Sequence, residues 1–135
     1  MIRIATTDDV EFLVAHDHEV PAELMRRKVA DGQVYVVTSE DGQILGWLRY
    51  GLFWDLIPFM NMLYMLEPNR RKGYGRRLVE RWELDMRERG YEQVMTSTLS
   101  NEEAQHFYRH LGYVDAGAFV LPGEPAELIF QKSIH

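Results

Sequence analysis

Between Ile57 and Gly75 the chain runs from nearly continuous apolar sequence into Arg70-Arg71-Lys72-Gly73-Tyr74-Gly75, and then into a segment of helical period. Ile57 to Leu66 reads as a central strand, with Pro58 at its first turn or edge. Leu78, Val79, Trp82 and Met86 are the buried stripe of a helix from Tyr74 to Arg89, with Gly90 as its cap. A strand that turns at such a corner and restarts as a helix leaves backbone N–H groups unpaired there, at the positive end of the helix dipole. Glycine lets a phosphate approach that backbone closely. Gly73 and Gly75 are spaced for this, and Arg70, Arg71 and Lys72 add charge. No Gly-Lys-Ser/Thr follows a longer glycine-rich loop, so the corner is not a P-loop. Taken alone, the pattern fits a flexible surface turn equally well.

The flanking sequence supplies the order of elements. Residues 1–5 read as a strand, and Thr6 with Asp9 can open a short helix through Leu13. Residues 14–20 are polar, and Pro21 starts a second helix that Gly32 ends. Residues 33–39 and 44–50 are strands joined by a hairpin at Glu40-Asp41-Gly42-Gln43. Gly51 to Asp55 reads as a loop. On the long helix, Arg81 with Asp85 and Glu83 with Arg87 are spaced as surface pairs. Glu92 to Leu99 is a strand, and Ser100 with Glu103 is a candidate capping box for a helix through His110. Gly112 to Asp115, Ala118 to Leu121 and Ala126 to Gln131 read as three short strands, broken at Gly117 and Pro122-Gly123. The expected fold class is α+β (mixed α/β) in one domain over 1–135: a mostly antiparallel sheet with helices on both faces. The early glycine-rich turn and repeated β-α units of a dinucleotide fold are missing.

Composition narrows the chemistry. The 135 residues suffice for one domain with a real core. With no cysteine, disulfides, thiolate metal sites and a cysteine nucleophile are excluded, and the scattered histidines suggest no metal. Met1 to Ile4 lacks a signal-peptide pattern, and no apolar run has membrane-spanning length, so a cytoplasmic protein without a membrane partner is expected. Fifteen basic against twenty-one acidic residues, a net charge of -6, disfavour nucleic acid and suit a cationic amine.

Arg70 to Gly75 matches Arg/Gln-x-x-Gly-x-Gly/Ala at every fixed position. Downstream, Asn101, Ala104, Phe107-Tyr108 and Leu111-Gly112-Tyr113 form a second pattern at a matching separation. Together with element order and length, these resemble the GNAT superfamily of acyl-CoA-dependent N-acyltransferases over nearly the whole chain. One departure is visible: where the family often has proline three residues before the motif arginine, this chain has Glu67, and Pro68 follows it.

The resemblance implies acetyl-CoA (or CoA) as cofactor and a splayed parallel strand pair that admits its pantetheine arm. It implies that amides from Arg71 through Lys72, Gly73 and Tyr74 to Gly75 take the pyrophosphate, with side-chain help from Arg70 and Arg71. A backbone N–H at Met65 or Leu66 would address the acyl carbonyl. Asn101 would bond pantetheine amides or an ordered water. Tyr108 would be the general acid for the departing sulfur; read without the resemblance, it is a core tyrosine beside Phe107 and Leu111. The expected reaction is direct attack by a primary amine, of a small molecule or an exposed protein amine, through a tetrahedral intermediate. Relatives often use a strand glutamate as base where this chain has Asn61; Asp55, Glu19, His16, His18 or water are the alternatives. Trp47, Tyr50, Phe53 and Trp54 are candidates for an acceptor pocket, with Asp55 to pair an ammonium group, although Trp47 on a strand also reads as core. A homodimer through the last strand is expected from relatives. The alternative function is a non-catalytic CoA-binding regulatory or interaction module.

Overall fold

A computed structural model describes residues 1–135. The strands are β1 (Ile2–Ile4), β2 (Val34–Thr38), β3 (Ile44–Phe53), β4 (Ile57–Met65), β5 (Gln93–Leu99), β6 (Val114–Phe119) and β7 (Glu127–Ser133). The helices are α1 (Val10–His16), α2 (Ala22–Ala30), α3 (Tyr74–Glu88) and α4 (Ala104–His110). The seven strands form one sheet in the order β1-β2-β3-β4-β5-β7-β6. Pairing is antiparallel except between β4 and β5, which run parallel with Phe59 opposite Met95 and Met60 opposite Thr96. The α+β expectation is met. No helix is long and apolar enough to cross a membrane.

The chain divides into two compact units, Met1–Tyr50 with Met62–Arg81, and Gly51–Asn61 with Trp82–His135. In the first, β2 is buried along its whole length, as its Val-Tyr-Val-Val run foretells. Leu13 of α1, and Met25 and Val29 one turn apart on α2, pack with Val34, Val36 and Trp47. The Asp9 carboxylate takes the Thr6 N–H at 2.8 Å and both terminal nitrogens of Arg3, at 2.6 and 3.0 Å. The helical segment that Thr6 opens begins as a single 3₁₀ turn, Thr7–Asp9, and α1 then runs to His16, one turn past Leu13.

A buried cluster holds the α1–α2 connection. Asp17 is 2% exposed, and its Oδ2 accepts from Arg49 Nε at 3.0 Å and Trp47 Nε1 at 3.2 Å. Its other oxygen accepts the Glu19 N–H at 3.2 Å. The first unit also contains a close backbone approach. A Cβ on Gly46 would lie 2.2 Å from Met65 Sδ and 2.6 Å from the Tyr64 carbonyl oxygen, so only glycine fits there.

In the second unit, Glu83 departs from the expected surface pair with Arg87. It accepts instead from the Tyr113 hydroxyl and Lys132 Nζ, both at 2.8 Å, tying α3 to β7 and to the turn after α4. Three boundaries also differ from the sequence reading. β3 continues to Phe53, because Trp54 and Asp55 turn the chain with φ of 57° and 60°, a conformation seldom adopted by tryptophan. The expected strands 112–115 and 118–121 are one strand, β6, whose register shifts between Asp115 and Gly117. The Ser100–Glu103 capping box does not form. Glu103 occupies the cap position of α4, Glu102 Oε1 takes the Leu99 N–H at 3.2 Å, and Gln105 Nε2 donates to the Ser100 carbonyl at 2.8 Å.

Arg3 holds the Asp9 carboxyl below its ordinary range, opposed by burial and aided by the Thr6 amide. That contribution to stability is complete above the unfolded value and is lost as pH falls through the folded one. Asp9→Asn should cost about 1–2 kcal/mol in urea unfolding at pH 7, with the gap from wild type narrowing below about pH 4.

Candidate active site

The motif residues of the first unit gather at the end of β4. Leu66 N–H donates to the Leu45 carbonyl at 2.9 Å. Backbone groups on an antiparallel strand alternate in direction, so the Met65 N–H faces away from β3. Of the two amides that the sequence left open, Leu66's is committed to the ladder and Met65's is the one directed elsewhere. The Met65 carbonyl accepts from Arg70 Nε at 2.9 Å. A terminal nitrogen of Arg70 donates to the Tyr64 hydroxyl, also at 2.9 Å, and the guanidinium sits 5.1 Å from the Tyr64 ring centre. Arg70 therefore braces the loop to the strand. Two of its five N–H donors are engaged in this way, and Arg70, Arg71 and Lys72 are all exposed along the loop.

A 3₁₀ turn over Glu67–Asn69, with Pro68 inside it, carries the chain from β4 to Arg70. Arg71 and Gly73 then take left-handed conformations, with φ of 63° and 83°, and α3 begins at Tyr74. Such alternation turns successive N–H groups into one concavity that suits an anion. The first α-helical bond recorded there runs from Arg77 N–H to the Gly73 carbonyl at 3.2 Å, so the Tyr74, Gly75 and Arg76 amides precede the helical ladder. Nothing lies within 4 Å of where a Gly73 Cβ would be, so its left-handed backbone rather than crowding is what calls for glycine. This backbone and the exposed cations Arg70, Arg71 and Lys72 fit a pyrophosphate.

Tyr108, on α4 in the second unit, is 6% exposed. Its ring packs against Phe107, Tyr113 and Phe130 with centroids at 5.5, 5.9 and 6.1 Å. Burial pushes the phenol up to about 12. At neutral pH the phenol holds its proton and is a donor. Thr96 is 1% exposed, and its hydroxyl donates to the Met60 carbonyl at 2.9 Å. Asn101 is exposed and does not cap α4.

The remaining candidates are dispersed. Trp47 is core, as its strand position suggested, and its ring meets Tyr64 at 5.1 Å. Tyr50 is buried, whereas Trp54 is 73% exposed at the β3–β4 turn beside exposed Asp55. His16 stacks on Phe12 at 3.9 Å on the surface, and His18, Glu19 and Asn61 are exposed. The sequence reading overlooked Tyr64, Thr96 and the Asp17–Arg49 pair. Thr96 had a signal, being polar on the same face of β5 as buried Val94.

The family model for the acetyltransferase (GNAT) family matches residues 2–113. The chain belongs to the GNAT family. Members of this family use acetyl-CoA. No curated protein matches the chain by sequence. Among solved structures, Ard1 from Thermoplasma volcanium superposes with a TM-score of 0.85 at 16% identity, covering 100% of this chain and 97% of that one. The ribosomal-protein-S18-alanine N-acetyltransferase from Escherichia coli gives 0.81 at 18% identity, covering 99% and 93%. A putative streptothricin acetyltransferase from Bacillus anthracis str. Ames, in complex with acetyl coenzyme A, gives 0.69 at 20% identity, covering 76% and 62%.

A Gly73→Val variant must strain its left-handed backbone or flatten the concavity. Its dissociation constant for CoA, read by calorimetry, should rise about 10-fold with helix content unchanged.

Proposed function

We propose that this GNAT protein is an N-acetyltransferase that moves the acetyl group of acetyl-CoA to a primary amine by direct attack. The acceptor is a small molecule or an exposed protein amine, and the naming of the Escherichia coli structure for a protein alanine supports the second of these. Acetyl-CoA brings an activated acyl carbon and a thiol leaving group. In this reading the Arg71, Lys72, Gly73, Tyr74 and Gly75 amides hold the pyrophosphate, while the Arg71 and Lys72 side chains offset its charge. Arg70 shapes that loop. The Met65 N–H polarises the acyl carbonyl. Asn101 bonds the pantetheine amides.

Tyr108 carries the reading. A buried phenol that keeps its proton at neutral pH suits the donation of that proton to a departing sulfur. The amine arrives neutral, and because Asn61 is no useful base its surplus proton goes to water or to one of Asp55, Glu19, His16 and His18. Asn61 is also what favours the second reading, a CoA-binding module without turnover.

Tyr108→Phe keeps the packing and removes the donor. Turnover under chemistry-limited conditions, followed as thiol release with an amine panel, should fall about 100-fold, with the acetyl-CoA dissociation constant within about 2-fold of wild type. Equal turnover in the two proteins would end the acid assignment. Tight cofactor binding without thiol release from any amine would favour the module.

A further inference from the structure

We propose that the terminal guanidinium nitrogens of Arg49 form a subsite for a backbone carbonyl of the acceptor, so that the protein selects a peptide amino terminus. This rests on the acetyl-transfer reading and narrows its acceptor. Arg49 lies on β3 with its side chain 5% exposed. Its Nε donates to Asp17 Oδ2 at 3.0 Å. Nη2 stands 3.8 Å from Glu19 Oε1, beyond hydrogen-bonding distance. Nη1 and Nη2 make no hydrogen bond, and neither is sealed from solvent. Four of the five N–H donors of a buried cation are therefore unused. Leaving them so is costly, and a lysine would neutralise Asp17 without bringing them. The fork is also held in place. Asp17 takes Trp47 Nε1 and the Glu19 N–H as well, so one carboxylate fixes the strand and the α1–α2 connection together.

Gly46 meets Met65 across the strands, and the rings of Trp47 and Tyr64 lie 5.1 Å apart. Arg49 follows on the face of Trp47, about 10 Å along β3 from Gly46. The Met65 N–H is the group assigned to the acyl carbonyl. An amine placed there leaves room for about one or two extended residues before Arg49, at about 3.5 Å each. A peptide amino terminus has carbonyls within that span. A lysine side chain holds its amine away from them on a long stem, and a simple alkylamine has none. A free carboxylate brings charge to a place where Asp17 already neutralises Arg49 and Glu19 adds a second carboxylate. Lys28 does not offset it, being taken up by Gln33 Oε1 at 2.8 Å and the Tyr50 carbonyl at 2.9 Å. A neutral carbonyl oxygen accepts from the Arg49 fork without that repulsion.

The test uses the full chain with CoA bound and three probes, across a panel of first residues: a dipeptide amide, the same dipeptide with a free carboxylate, and the matched alkylamine. Calorimetry reads their affinities without needing turnover. The amide should bind about 10-fold more tightly than the alkylamine, and Arg49→Lys, which keeps a cation beside Asp17, should abolish that preference. Glu19→Gln should raise the affinity of the free dipeptide relative to its amide about 3-fold. If Arg49→Lys does not fold, Asp17→Asn with Arg49→Met, which removes both buried charges, takes its place. An amide no tighter than the alkylamine, or a preference that survives in the folded Arg49 variant, overturns the proposal. An unmoved ratio in Glu19→Gln overturns the selection against carboxylates. An Arg49-dependent preference with no thiol release from acetyl-CoA overturns acetyl transfer instead and leaves a peptide-binding subsite.

Discussion

The chain leaves β4 under constraint from two directions. On one side, the Leu66 N–H is tied to Leu45 and the Met65 side chain lies across Gly46, where a single added carbon would collide. On the other, Arg70 reaches back to the Met65 carbonyl and the Tyr64 hydroxyl. The direction of the Met65 N–H and the start of the Arg71–Gly75 concavity follow from these contacts. The brace continues inward: Tyr64 packs on Trp47, and Trp47 donates to the same Asp17 oxygen that holds Arg49. An anion cradle made of backbone needs such support, since its donors are useful only while the dihedral angles that aim them are held.

Tyr108 depends on a different balance. Its surroundings are aromatic, so the protonated phenol is favoured over the phenolate and the proton remains available at neutral pH. A good acid must also tolerate its conjugate base for a moment, and burial opposes that. Of the aromatic neighbours of Tyr108, Tyr113 is held in place by its hydrogen bond to Glu83 of α3, which also takes Lys132 of β7.

What was legible in the sequence had a strong period or a fixed spacing. α3 and β4 are readable because Leu78, Val79, Trp82 and Met86 repeat at helical spacing and because Ile57 to Leu66 is apolar but for Asn61. The loop was readable because glycine spacing reports directly on backbone conformation. Errors arose where a local residue preference was overridden. Trp54 and Asp55 make the tight turn that glycine or asparagine would ordinarily signal, so the sequence pattern ends β3 at Tyr50 while the strand runs on to Phe53. Gly117 signals a break, whereas it sits in a bulge that β7 pairs across. The brace by Arg70 could not be read at all, because it depends on where a long side chain folds back rather than on any pattern. The same holds for Glu83, whose partners lie 30 and 49 residues away.

The most direct test of this account is a crystal structure with acetyl-CoA bound. The account predicts pyrophosphate oxygens on the Arg71 to Gly75 amides, the acyl oxygen on the Met65 N–H, and the sulfur within hydrogen-bonding distance of the Tyr108 hydroxyl. Phosphates seated away from Gly73 and Gly75, or a sulfur with no path to Tyr108, would contradict it.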